Sequence, residues 1–351
     1  MNSELPDSVA TAAALAAVAV TVTLFGAVLA LRLGHVLRSR RLSRLREIWW
    51  PIFAETATSE SLAADAALPQ SSAGGQRLLL REWSRFRSLV QGQATDGLNA
   101  LAVRLNLLPL ARRQMRRRAV DKRLLGIQVL GQLHDTESWD AIDALLESDN
   151  IAVSITAATA LTEIDADRAI PRIVPLIGRS ARWPRTQVGR ILNRAGPDIV
   201  STWLCRQIAE APADDAVRML QFTDSAFAGD VNATASTLLT TRREPGLLSA
   251  ALKATQGRIC PERIIELTHH QVWYVRMQAA SLLGRVGNRE DLAALEPLLH
   301  DREWWVRYRA AQALVSSPFL GPNALRRVAA RQSDRYARDI LQQALAEKGL
   351  A

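Results

Sequence analysis

Residues 303–314 read EWWVRYRAAQAL, and residues 272–283, 31 positions earlier, read VWYVRMQAASLL. The two stretches align Trp273 with Trp304, Val275 with Val306, Arg276 with Arg307, Ala279-Ala280 with Ala310-Ala311, and Leu283 with Leu314. One further step of 31 puts Tyr336, Arg338, Ala344 and Leu345 under Trp305, Arg307, Ala313 and Leu314. The register returns near the front of the region: Leu130 with Leu161 and Leu192, Ile142 with Ile173, Leu145 with Leu176, Leu146 with Ile177. Leu252 lies 60 residues beyond Leu192, close to two more units, although residues 196–245 match poorly. A fixed period of this size is the mark of a repeat architecture.

Each unit holds two helix-period patterns. One is Trp304–Leu314; the other, in the preceding unit, has apolar residues at 292, 295, 298 and 299. Gly287-Asn288 separates the second pattern from the helix before it, with Asn288 as N-cap and Asp291 as its partner three residues on. His300-Asp301 marks the next break. Two short helices per unit make a hairpin that cannot bury its apolar stripe alone, so successive hairpins must stack. The paired alanines predict close helix–helix approach.

The pattern D-x-x-W-x-V-R-x-x-A-A-x-A-L, Asp301 to Leu314, resembles the HEAT-repeat family in its short bacterial form, also seen in phycobilin lyases. The resemblance covers residues 119–351 and implies an all-α, HEAT-type α-α superhelical solenoid, armadillo-like in architecture. In that family an acid six positions before the Arg pairs with it along the stack. Asp301 and Arg307 keep this spacing, His270 replaces the acid before Arg276, and Arg338 has Asp334 only four residues before it.

Upstream, residues 76–118 carry the stripes Leu78, Leu79, Trp83, Phe86, Leu89-Val90 and Leu98, Leu101, Leu105, Leu107, Leu108, expected as a helical N-terminal cap. Residues 54–75 lack periodicity, end in Pro, Ser and Gly, and read as a linker. Val9–Leu31 is uncharged and as a helix would span roughly 35 Å, enough for a bilayer core of about 30 Å. Glu4 and Asp7 precede it where a secretory signal would carry basic residues. One N-terminal transmembrane helix is therefore expected at 9–31. Arg32, Arg38, Arg40, Arg41, Arg44 and Arg46 follow it and no Lys or Arg precedes it, so residues 1–8 should lie outside and the body in the cytoplasm, on the inner membrane.

The basic juxtamembrane segment 32–53 places Leu42, Leu45, Ile48 and Trp49 on one face. It could lie on the membrane or dock on the body. Gly26 and Ala30 form a small-residue pair suited to a homodimer contact between spans.

The net charge of +9 is local. It sits in the Arg run after the span and in Arg112, Arg113, Arg116, Arg117, Arg118, Lys122 and Arg123; the rest of the chain is slightly acidic. That distribution does not favour nucleic acid, whose partners are basic along a groove. The second cluster could be a solvated face, a contact for anionic lipid, or one for an acidic partner. Cys205 and Cys260 stand far apart, which fits no disulfide framework or zinc cluster.

Catalytic residues, metal ligands and cofactor motifs are not found: the repeated His-Glu pairs of HEAT-like deoxyhypusine hydroxylases are missing, and no phosphate-binding Gly loop occurs. The expectation is a protein that is not an enzyme and uses no cofactor. Within Trp273-Tyr274 and Trp304-Trp305 one ring is expected in the inter-repeat core and the other near the surface. With Arg276, Arg307 and Arg338 these form the candidate partner-binding set. The layout also resembles small bacterial membrane-anchored HEAT proteins that work beside envelope glycosyltransferases. The resemblance implies a scaffold or accessory subunit of a polysaccharide-synthesis complex with a membrane-associated protein partner. The alternatives are a HEAT-fold enzyme, of phycobilin-lyase or DNA-glycosylase type, or an anionic-lipid surface binder.

Overall fold

The computed structural model describes the backbone of residues 5–58, 69, 73–92, 94–180 and 182–349; side chains at 5–17, 19, 34, 35, 37–39, 41, 73 and 74 are outside the description. All regular structure among the described residues is helical, in two compact units, Met1–Leu133 and His134–Ala351.

The first unit contains α1 (Leu5–Thr58), α2 (Ala73–Arg87), α3 (Ala94–Arg104), α4 (Leu107–Met115) and α5 (Val120–Gln132). The C-terminal end of α1 docks on α2 and α3. Trp49 and Phe53 are buried, Phe53 and Trp50 both meet the Phe86 ring (5.4 and 5.6 Å), and Arg46 Nε donates to Glu82 at 2.7 Å. This answers the question left open for the juxtamembrane segment: Trp49 packs on protein. The same packing carries α1 through Pro51 to Thr58, so the expected linker is helical at 54–58 and again from Ala73, and most of its middle lies outside the described residues.

Trp83 Nε1 donates to the Leu98 carbonyl at 2.9 Å, and Ser84 and Gln132 exchange hydrogen bonds at 2.7 and 3.2 Å, tying α2 to α3 and α5. Leu79, Trp83, Leu98, Leu101 and Leu107 are buried as the stripes require, whereas Leu89 is exposed because α2 ends before it. Gly126 brings α5 against α4 so closely that an added Cβ would lie 2.3 Å from the Met115 nitrogen.

Among the described residues no helix is long and apolar enough to cross a membrane. Of the expected span 9–31, side chains 9–17 and 19 fall outside the description, as do residues 1–4 entirely. Among those that are described, the apolar Val18, Val20, Val22, Leu24, Phe25, Val28, Leu29 and Leu31 are well exposed, Leu31 to 75%.

The second unit runs through α6 (Trp139–Asp143), α7 (Ile151–Ile164), α8 (Ala166–Arg179), α9 (Arg185–Ala195), α10 (Pro197–Glu210), α11 (Ala213–Met219), α12 (Ala228–Thr241) and α13 (Pro245–Ala254). It ends in α14 (Pro261–Leu267), α15 (Trp273–Val286), α16 (Trp304–Ser316), α17 (Pro322–Arg331) and α18 (Arg335–Glu347). Asn150, Asp165 and Asp334 cap α7, α8 and α18 through their side-chain oxygens. Packing runs in sequence: α8 on α10, α10 on α12, α13 on α15, α15 on α16, α16 on α18.

The 31-residue register is a register of burial. Val275, Val306 and Ala337 are fully buried, as are Ala279, Ala310 and Leu341; Leu283, Leu314 and Leu345 are at most 4% exposed. In the earlier units Ile142 and Ile173 are buried, Leu146 and Ile177 likewise, and Leu145 and Leu176 are both half-buried. Gly284 is needed for this layering: an added Cβ would lie 2.5 Å from the Ala313 Cβ on α16.

One expected helix has a different form. Residues 291–300 make two 3-10 turns, Asp291–Leu295 and Pro297–His300, because Pro297 has no N–H to continue an α-helical ladder. The four leucines are buried nonetheless, and Asn288 and Asp291 form the expected reciprocal cap, each side chain accepting from the other's backbone N–H at 2.8 and 2.9 Å.

Candidate partner-binding face

In the last three repeats the helix that opens with aromatic residues has two faces. Val275, Val306 and the paired alanines turn inward. The aromatics do not. Trp304 is 43% exposed, Trp305 52%, Trp273 37% and Tyr336 70%, with Tyr274 half-buried. The expectation that one ring of each pair would fill the inter-repeat core is overturned at Trp304-Trp305. The core there is already filled by Val306 and Ala310, and the first turn of α16 carries both indoles outside it.

The rings hold one another. Trp304 and Trp305 meet edge to face at 4.7 Å, Trp273 and Tyr274 at 5.8 Å, and Trp304 stacks nearly parallel on Tyr308 at 5.0 Å. Tyr308 Oη donates to Glu347 Oε2 at 3.0 Å, and this bond raises the phenol's pKa above its ordinary value. Tyr308 was not in the predicted set; its place four residues after Trp304, one helical turn on, is the signal that could have found it. Tyr274, Trp305 and Tyr336 share one register position, so an aromatic recurs there in three successive repeats.

The three arginines do three different things. Arg276 is buried and grips Asp301 of the next repeat with two prongs, Nε to Oδ2 at 2.6 Å and Nη2 to Oδ1 at 2.8 Å. It also donates Nη1 to the carbonyls of His270 and Gln271 at 2.8 and 2.9 Å. Arg307 donates to the Asp301 and Arg302 carbonyls, and Arg338 to the Gln332 carbonyl at 3.1 Å. The shared partner is the backbone carbonyl six residues back. The expected Asp301–Arg307 carboxylate pair is absent, because the Asp301 carboxylate is taken by Arg276. Asp334 caps α18 and accepts from Tyr336 and Ala337 rather than from Arg338. Arg276 is therefore a clasp between repeats, while Arg338 remains exposed at the surface.

Burial alone would raise the Asp301 carboxyl's pKa, but the Arg276 bonds, the Glu303 N–H and the charges of Arg276 and Arg302 together bring it below the ordinary value. The Asp301 bond raises the Arg276 pKa. Similar arginine–acid pairs link other repeats: Arg172–Asp143 at 3.0 Å, Arg194–Glu163 at 2.9 Å and Arg258–Asp291 at 3.1 Å.

The basic cluster lies in the first unit. Arg112 and Arg113 occupy the last turn of α4, Arg116, Arg117 and Arg118 follow in the exposed turn, and Lys122 and Arg123 are half-buried on α5. Among the described residues no group of three His, Cys, Asp or Glu is disposed to hold a metal ion.

Helical hairpins stacked in register, joined by arginine–acid clasps, define a repeat protein of the α-α class. Over part of its length, residues 260–346, the chain matches the family model described as HEAT repeats. A comparison with curated proteins found no match. Solved structures similar to this chain include an engineered protein (16% identity, TM-score 0.33, covering 87% of this chain and 98% of that one). A structure of microtubule polymerases with TOG domain arrays, in tubulin recruitment, is 10% identical, with TM-score 0.31 over 88% of this chain and 97% of that one. A designed armadillo repeat protein is 15% identical, with TM-score 0.22 over 76% and 98%.

Proposed function

We propose that this protein is a non-catalytic scaffold whose C-terminal HEAT repeats bind a protein partner through the aromatic column Tyr274, Trp305 and Tyr336 with the neighbouring Trp273 and Trp304. The observation that carries this reading is the exposure of both Trp304 and Trp305. A fold that already has its core in Val306 and the alanines gains nothing from keeping two indoles in water. Tryptophan, tyrosine and arginine are the residue types that anchor interfaces, and Arg302, Arg309 and Arg338 lie exposed around them.

The finer reading adds a tether. Residues 9–31 would cross the inner membrane once with residues 1–8 outside, and the repeats would meet a membrane-associated partner such as an envelope polysaccharide synthase. The exposed apolar side chains of Val18, Val20, Val22, Leu24, Phe25, Val28, Leu29 and Leu31 and the arginines that follow them support this. Tethering would raise the effective concentration of partner and scaffold for one another.

The test is purification of the full chain from native membranes, with and without Trp304→Ala/Trp305→Ala. Loss of one defined integral membrane partner, with unchanged thermal unfolding, supports the scaffold; an unchanged yield of that partner removes this face from consideration. Deleting residues 9–31 should release the chain from carbonate-washed membranes, and retention would end the tether reading.

A further inference from the structure

We propose that the depression bounded by Pro109, Arg112, Arg113, Arg116 and Arg117 in the first unit is a binding site for a multiply charged phosphate group. Arg112 and Arg116, and likewise Arg113 and Arg117, are four residues apart along α4 and its C-terminal turn, so the four guanidiniums rise from one side of the chain. Like charges at that spacing repel.

Several arginines elsewhere are neutralised: Arg46 by Glu82, Arg172 by Asp143, Arg194 by Glu163, Arg276 by Asp301. Here they are not. Among the described residues Arg113, Arg116, Arg117 and Arg118 have no ion pair and no side-chain hydrogen bond, and all four are exposed.

A purely structural role accounts for only part of this cluster. Cations in the last turn of a helix are favoured by its dipole, which explains Arg112 and Arg113. Arg116, Arg117 and Arg118 lie beyond the last turn, where that benefit fades. On α5 the half-buried Arg123 adds a further cation whose Nε is buried without an acceptor. Solubility does not call for such density either, since lysines or spaced charges would serve it.

Arginine rather than lysine is the informative choice. Its planar fork engages phosphate oxygens in pairs, and every basic residue around the depression is Arg. A carboxylate would satisfy one fork, whereas a phosphate monoester or diphosphate offers several oxygens and more than one charge to several forks at once. The source is either a free polyphosphate-type anion or the headgroup of an anionic lipid. This site does not depend on the partner-binding or tether readings.

The experiment uses the full chain in a neutral detergent, wild type against Arg113→Gln/Arg116→Gln/Arg117→Gln, with Arg113→Lys/Arg116→Lys/Arg117→Lys as a charge-conserving variant. Calorimetric titration with pyrophosphate forms one arm. The other is titration with mixed micelles containing phosphatidic acid, against micelles of the neutral detergent alone. Saturable binding by the wild type that falls at least about tenfold in the Gln variant, falls less in the Lys variant and weakens with salt supports the site. Binding of pyrophosphate assigns a free anion; binding only of the phosphatidic acid micelles assigns a headgroup. No binding in either arm, or binding that the Gln variant leaves unchanged, overturns the proposal. So does a short RNA that binds the wild type far more tightly than both phosphate probes.

Discussion

Arg276 and Asp301, 25 residues apart in sequence, form a two-pronged ion pair whose side chains are each 8% exposed. The pair crosses from one repeat to the next and fastens the N-terminal end of α15 to the turn that opens α16. Removing one member of a buried, hydrogen-bonded pair leaves an uncompensated charge and costs about 3–5 kcal/mol. Asp301→Ala is therefore expected to lower the unfolding free energy by about that amount in urea titration. Arg276→Met with Asp301→Leu together should recover most of the loss. A single substitution costing under about 1 kcal/mol would mean the clasp is not closed in solution.

The same pair makes acid stability depend on one carboxylate. The folded Asp301 pKa lies below its ordinary value, so the group stabilises the fold above the unfolded-state pKa, and that stability is lost as pH falls through the folded value. The window lies below about pH 4. Asp301→Asn should flatten this part of the stability–pH profile between about pH 4 and 2 while leaving the profile from about pH 5 to 8 parallel to wild type. Measuring urea midpoints across both ranges checks the sign. A wild-type profile as flat as the variant's in acid would refute it.

Much of this framework was legible from one period. Val275, Val306, Leu283, Leu314 and the paired alanines are buried where the register of 31 puts them, because a stack repeats its burial as faithfully as its letters. The clasp was not legible, for two reasons. The acceptor of Arg276 comes from the next repeat, at a spacing of 25 that is the period less six. The acceptors six residues back are backbone carbonyls, which no sequence letter reports. The placement of Trp49 was ambiguous because an apolar helical stripe looks the same whether lipid or protein covers it. The exposure of Trp304-Trp305 was misjudged because aromatic bulk suggests core, while the small residues behind it had already filled the layer.

One repeat further on, the clasp is broken. The position equivalent to Asp301 is Gln332, which engages His300 Nε2 at 2.8 Å and donates to the Val328 carbonyl, and the Arg307 Nε is left buried without an acceptor. Gln332→Asp is expected to supply that acceptor and stabilise the protein by about 1 kcal/mol, the usual net worth of such a bond. The gain should vanish in an Arg307→Met background. A double-mutant cycle decides: additive effects would show that residue 332 does not reach Arg307.

Gly284 marks where α15 and α16 come closest. A methyl group there would lie 2.5 Å from the Ala313 Cβ, too near for either helix to keep its place. Gly284→Ala should cost about 1–3 kcal/mol despite the better helix propensity of alanine. Ala313→Gly in the same chain should return part of it by vacating the space. Calorimetric melting of the three variants checks the order. If Gly284→Ala melted at or above wild type, the close approach of the two helices would be wrong.

Trp305 and Val306 are neighbours with opposite roles, and stability separates them. Val306 is fully buried between repeats, so Val306→Ala should cost about 2 kcal/mol through lost contact and the cavity left behind. Trp305 is 52% exposed with its core-side space already filled, so Trp305→Ala should stay within about 0.5–1 kcal/mol of wild type. Urea unfolding of both variants tests this without knowledge of any partner. A Trp305→Ala loss as large as that of Val306→Ala would return the indole to the core and leave the proposed binding face without its central ring.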